Sequence, residues 1–355
     1  MTVLYVNLAL VMIFALMARY YSLDLGHGSI SIRPNKIFIL LALITLVSVS
    51  GLRSNIGDTF FYVHAYKINR IDWDYILDNK DIGFGMLQML LQKISMNPQL
   101  LIFVTALITN GLIMIVLYKY CRLIELGLYV FITSGIFLTS MNGLRQFLAA
   151  AILFAGTKYL IEGNWKRYGG VVLLASSIHM SAIIMIPMYF IVRSKAWSKT
   201  TVLLLFLSVI LVLGFNHFQE FLFSALESTQ YGHYQHFSEG GASILRVLVT
   251  SVPLLLAFMG RERLKEIFPD SDVIINMSIL GVVFMLVSTQ NWIFARFYYY
   301  FGLYQLILIP WVVQSFRERD RKLIYFGVII CYFLFFYYEE VISLGIQYKS
   351  HLFGG

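Results

Sequence analysis

The chain has 355 residues, 59% of them hydrophobic and only 13% charged, with a mean hydropathy of +0.75. That balance excludes an ordinary soluble protein, in which about 25% of residues are charged, and recurrent apolar runs of spanning length point to an all-α polytopic membrane protein. The net charge of +8 suits basic cytoplasmic loops better than nucleic-acid binding, and two cysteines, Cys121 and Cys331, form neither a disulfide framework nor a zinc spacing.

Hydropathy predicts about 10 transmembrane helices, near residues 3–21, 37–52, 99–118, 124–140, 143–161, 200–217, 244–260, 272–290, 294–316 and 323–343. The first lacks a basic n-region and a cleavage site and reads as a retained helix. Segment 169–192 has basic residues on both flanks: Lys166 and Arg167 before it, Arg193, Lys195 and Lys199 after. A re-entrant pair of half-helices, broken at "SSIHMSA" with Ser181 capping the second half, returns both flanks to the cytoplasm; one ordinary span is the alternative. With the re-entrant pair, most Lys and Arg fall on inner loops and both termini face outward. No polar segment reaches the roughly 50 residues a soluble domain needs. Residues 1–355 are therefore expected to form a single integral membrane domain, with outer loops near 53–98 and 217–243.

The basic residues that break the inside bias carry the functional signal. Arg53, Arg145, Arg246 and Arg296 sit at outer ends of predicted helices. An arginine at membrane depth costs on the order of 3 kcal/mol, so it faces a cavity, pairs with an acid, binds an anion or snorkels to the headgroups. In "GLRSNIGDTFFYVHAY", Arg53 and Asp58 flank Ser54, Asn55 and Gly57. They read as an ion pair closing a turn or as a substrate-facing pair, and the aromatics after them, Tyr62 included, as an interfacial belt or a sugar-stacking surface. The tract Phe84 to Ile94 places Phe84, Leu87, Leu91 and Ile94 on one face and reads as an interfacial helix.

In "MNGLRQFLAAAILFAG", Asn142 and Arg145 are three apart and are expected to share a helix face, with small residues keeping that face close-packed and Gln146 beside it. His179 stands at the expected chain break next to Ser181. It reads as a hydrogen-bonded core residue or as a catalytic one. The loop 217–243 holds His233, His236, Glu227 and Glu239. It lacks a firm third metal-ligand spacing and reads as a polar substrate-contacting or lid loop. In "NWIFARFYYYFGLYQLILIP", Arg296 precedes Tyr298, a pattern for phosphate with sugar or for an aromatic belt with one anchor. GxSxG, HExxH, P-loop and CxxC patterns are lacking, so serine-hydrolase, zinc-protease and ATP-driven readings have no support. No metal and no cofactor is expected.

"GLRSNIGDTFFY", "MNGLRQFLAAAILFAG", "SSIHMSAIIMIP" and "ARFYYYFGLYQLILIP", in this order and spacing, resemble the EpsG family, grouped with the Wzy-like polysaccharide polymerases of bacterial envelopes. Asn-Gly-x-Arg-Gln and His-x-Ser are the more specific elements; the chain departs at Gly57-Asp58-Thr59, where members often read Gly-Thr-Asp. The resemblance implies a GT-C-like or O-antigen polymerase-like helical bundle in the bacterial inner (plasma) membrane, its site facing the outer side. It implies polymerisation of polyprenyl-diphosphate-linked oligosaccharide into an exopolysaccharide, capsule or O-antigen-type polymer. Other polysaccharide export and chain-length proteins would be partners. On that reading Arg145, Arg53 and Arg296 hold phosphate and His179 or Asp58 accepts the acceptor proton, while Asn142, Gln146, Tyr62, Ser181 and Tyr298 contact substrate. An exporter or flippase of the same glycolipid, or a membrane O-acyltransferase, are the alternatives.

Overall fold

The computed structural model describes residues 1–24, 32–78, 81–215, 217 and 240–350. Its regular structure is helical, apart from a two-residue antiparallel ladder, Leu23–Asp24 with Ile32–Arg33, between the first two long helices and an isolated bridge between Arg53 and Ser350. Most of the expected lid loop, including His233 and His236, lies outside the described residues.

Helices form where hydropathy placed them, but many are broken. Among the described residues, Thr2–Tyr20, Pro98–Tyr120 and Glu318–Ser343 are each long and apolar enough to cross a bilayer. Two bent pairs reach that length only together: Ile124–Thr133 with Ile136–Asn142, bent by 54°, and Ile244–Met259 with Arg261–Ile267, bent by 81°. Among the described residues, length and composition therefore give three spans, or five with the pairs, and six shorter apolar helices accompany them, so the ten that hydropathy predicted are not confirmed. The causes of the breaks are local. Gly135 takes φ 79°, a left-handed conformation that ends a helix at low cost in glycine. The expected helix 143–161 divides into Leu144–Ala155 and Thr157–Glu162, and the expected 294–316 into Ala295–Gly302 and Gln305–Ser315. The break in 169–192 lies at His179, between Trp165–Ile178 and a short 3₁₀ turn, Met180–Ile184, that leads into Met185–Val192.

The outward faces are apolar. In Lys199–Leu213 the two buried residues are Thr201 and Ser208, while Val202, Leu203, Phe206 and Leu213 are exposed. Polar inside and apolar outside is the arrangement of a helix solvated by lipid, and the chain is a membrane protein.

Leu144–Ala155 is the centre of the packing. Ala149, Ala150 and Ala151 are fully buried, and their small side chains let Pro98–Tyr120, Trp165–Ile178 and Ala295–Gly302 all pack against this one helix. The first outer loop is itself helical, as Thr59–Ile68, Trp73–Asp78 and Ile82–Ile94. Ile82–Ile94 buries Phe84, Gly85, Gln88 and Leu91 and docks on Trp165–Ile178. The contact is close enough that a Cβ on Gly83 would lie 2.4 Å from Ser177 Oγ. Ile94, expected on the same face, is exposed.

Candidate functional site

Asp81, Arg145 and His179 come from three separate elements and meet at one carboxylate. Asp81 immediately precedes Ile82–Ile94, and its side chain is buried. Its Oδ2 accepts from Arg145 Nη1 at 2.8 Å and lies 3.3 Å from His179 Nδ1. Its Oδ1 accepts from the Met180 amide at 3.0 Å. That amide is open to a side chain because the helix ends at His179 and the next turn begins without an internal partner for it. Burial pushes the Asp81 carboxyl up, but His179, Arg145 and the Met180 amide together outweigh burial and hold it below the usual carboxylate range. It is therefore an anion at neutral pH. A carboxylate facing Nδ1 favours the Nδ1–H tautomer and puts the lone pair on Nε2.

Arg145 is half-buried. Its Nε donates to Tyr62 Oη at 3.4 Å, and its guanidinium carbon lies 5.8 Å from the Tyr62 ring centre and 5.9 Å from that of Phe84. The group is thus held by an acid on one side and by aromatic rings on the other, a geometry that fixes a planar cation.

These residues line a cleft of about 470 Å³ whose walls include Asp58, Tyr62, Tyr75, Asp81, Phe84, Gln88, Arg145 and Arg296. Arg296 reaches it from the start of Ala295–Gly302, its guanidinium carbon 5.3 Å from the Trp292 ring centre. The backbone of that start is anchored by Gln146, whose Nε2 donates to the Arg296 carbonyl at 2.8 Å. Gln146 is buried and holds the neighbouring element in place.

Asn142 does not share a helix with Arg145. The chain breaks at Gly143, which ends Ile136–Asn142 and precedes Leu144–Ala155, so a three-residue spacing no longer gives one face. Asn142 Oδ1 accepts from the Asp58 amide at 2.9 Å. The turn it grips is strained: Gly57 has φ 51° and Ile56, a β-branched residue, has φ 84°. A Cβ on Gly57 would lie 2.0 Å from Asn142 Oδ1, so only glycine permits this contact. The contact ties "GLRSNIGDTFFY" to "MNGLRQFLAAAILFAG" and sets Asp58 at the cleft wall.

Arg53, Ser181 and Tyr298 also lie away from the cleft lining. Arg53 is 2% exposed. It donates from Nε to Thr59 Oγ1 at 3.0 Å and from Nη2 to the Met141 carbonyl at 2.8 Å, with Nη1 on the Ser50 carbonyl. All three of its nitrogens are committed to the fold, and it does not line the cleft with Arg145. Ser181 does not cap the second half-helix; it lies inside the 3₁₀ turn with its Oγ 2.6 Å from Tyr300 Oη. Tyr298 is buried and lines a different chamber, with Arg246. It is two residues from Arg296, and residues two apart on a helix point to different sides. His179 stands behind Asp81, 3% exposed, so it reaches the cleft through that carboxylate.

Asp81 is the site residue that the sequence reading did not single out. Its signal was Arg145 itself, since a guanidinium within the membrane calls for an acid, and Asp81 is the acid that begins the nearest amphipathic outer helix.

The EpsG family model matches residues 36–350, a stretch that holds every residue of this site. No curated protein and no solved structure matches the chain.

Proposed function

The chain belongs to the EpsG family, and from that premise, which points to a role in polysaccharide polymerisation, we propose that it joins polyprenyl-diphosphate-linked oligosaccharide repeat units into an exopolysaccharide, capsule or O-antigen-type polymer. The whole chain acts as one membrane domain of the bacterial plasma membrane, and the cleft faces the outer side. The observation that carries the reading is the cleft that Arg145 and Arg296 share with the carboxylates Asp58 and Asp81. A glycosyl transfer from a lipid diphosphate needs cations for the leaving group and a base for the acceptor, and both are on one surface.

In the proposed reaction an acceptor hydroxyl oxygen attacks the anomeric carbon of the donor sugar. The bond from that carbon to the diphosphate oxygen breaks, and polyprenyl diphosphate leaves. Arg145 and Arg296 face the phosphate oxygens as negative charge builds on them. The hydroxyl proton passes to Asp58, the carboxylate of the outer loop at the cleft wall. Asp81 and His179 are positioning residues that hold Arg145 at its angle to the cleft. Tyr62 and Phe84 present ring faces on which a sugar can stack. A single displacement of this kind inverts the anomeric configuration and takes no metal.

The test is the polymer made in cells by Arg145→Ala and Arg296→Ala variants that accumulate as the parent protein does. The proposal expects repeat units without long chains. Polymer of parental length in both variants would overturn it.

A further inference from the structure

A second polar chamber lies apart from the cleft and serves no step of the reaction above. It encloses about 70 Å³ and is lined by Ser134, Gly135, Arg246, Tyr298, Glu339 and Glu340 among others. The two glutamates sit in the π-helical turn Tyr337–Ser343 that ends the last long apolar helix, and they are 5% and 4% exposed. Such turns inside helices mark functional sites more often than chance.

The polar groups in this chamber are not all paired. Arg246 is taken by Glu339, with Nε donating to Oε1 at 2.6 Å and Nη2 on the same oxygen. Among the described residues no hydrogen bond or ion pair reaches the Glu340 carboxylate. Two carboxylates face one guanidinium, so the buried Glu340 carboxyl needs a proton or a cation to offset its charge. Ser134 Oγ, on the same wall, is buried and also lacks a partner. Room for the carboxylate is built into the backbone. The helix bends by 54° between Thr133 and Ile136, and at Gly135 a Cβ would lie 2.6 Å from Glu340 Oε1.

We infer that this chamber binds one monovalent metal cation of sodium size, held between the Glu340 carboxylate and the Ser134 hydroxyl. Arg246 is already paired with Glu339 and a second carboxyl stands beside it, so the chamber is not a second diphosphate site. The volume suits an ion with a few waters, at roughly 10–15 Å³ each, and is too small for a sugar. Once ionised, Glu340 carries one charge, which a single monovalent ion balances. Breaks in membrane helices bring polar groups and backbone carbonyls to ion sites in this way.

The experiment is thermal unfolding of the purified full-length protein in nanodiscs while sodium replaces N-methylglucamine at constant ionic strength, with radiolabelled sodium binding measured alongside. The inference predicts a Tm that rises by several degrees with sodium and saturable sodium binding. It predicts loss of both in Glu340→Gln and a weaker response in Ser134→Ala. Wild-type protein indifferent to sodium overturns it, as does stabilisation by magnesium, calcium or a pH change alone. An undiminished response in Glu340→Gln does the same. If Glu340→Gln fails to accumulate, Ser134→Ala and sodium binding to the wild type decide the matter. The readouts are stability and binding, so they stand apart from the polymerase reading.

Discussion

Asp81→Asn removes one negative charge and leaves the shape of the site intact. In the wild type the Asp81 side chain is 6% exposed and that of Arg145 34%, so the pair is neither fully buried nor freely solvated. The amide retains an oxygen for the Met180 amide but loses the charge-assisted contact to Arg145 Nη1. A hydrogen bond to a charged group contributes about 1.5–3 kcal/mol. If that energy serves to hold Arg145 for the transition state, its loss slows polymerisation by about 10- to 150-fold. The assay is polymer yield and chain length in cells, with protein abundance followed by an epitope tag. Asp81→Asn protein at parental abundance that makes polymer at the parental rate would refute the claim that Asp81 positions Arg145.

The other predictions concern the turn, the buried arginine and pH. Gly57→Ala forces a Cβ against Asn142 and into a left-handed φ, costing about 1–2 kcal/mol for the backbone with a further loss of the Asn142 contact; a lower Tm in detergent and reduced polymer are expected. Arg53→Ala leaves buried carbonyls unpaired at about 1–3 kcal/mol each, so protein abundance falls together with polymer; stable Arg53→Ala protein that makes no polymer would return Arg53 to the substrate. Asp81 is held below its ordinary pKa of 3.8, so its contribution to stability is complete above about pH 4 and is lost only as the pH falls through its lowered value. Unfolding measured against pH should show a loss of stability below pH 4 that Asp81→Asn reduces, and an inflection from Asp81 near neutral pH would contradict the geometry.

Composition and hydropathy were enough to read a helical membrane protein, because lipid dictates the apolar faces and those faces are long stretches of sequence. They overstated span length, since a glycine that breaks a helix, as at Gly135 and Gly143, is itself apolar and leaves hydropathy unchanged. The arginines stood out because charge at membrane depth needs a cause, and two of the three expected at phosphate do line the cleft. Arg53 does not join them there, because burial with three backbone and side-chain acceptors satisfies a guanidinium as fully as an anion does. The spacing argument for Asn142 failed because it assumes a continuous helix. Asp81 was invisible to spacing: 64 positions separate it from Arg145, and only the docking of Ile82–Ile94 on Trp165–Ile178 brings the two together.

The central claim is that this cleft makes glycosidic bonds. Purified protein in proteoliposomes, given polyprenyl-diphosphate-linked repeat units, tests it most directly by following bond formation and polyprenyl diphosphate release. The account predicts both from the wild type and neither from Arg145→Ala. Movement of the glycolipid across the bilayer without new bonds would contradict it.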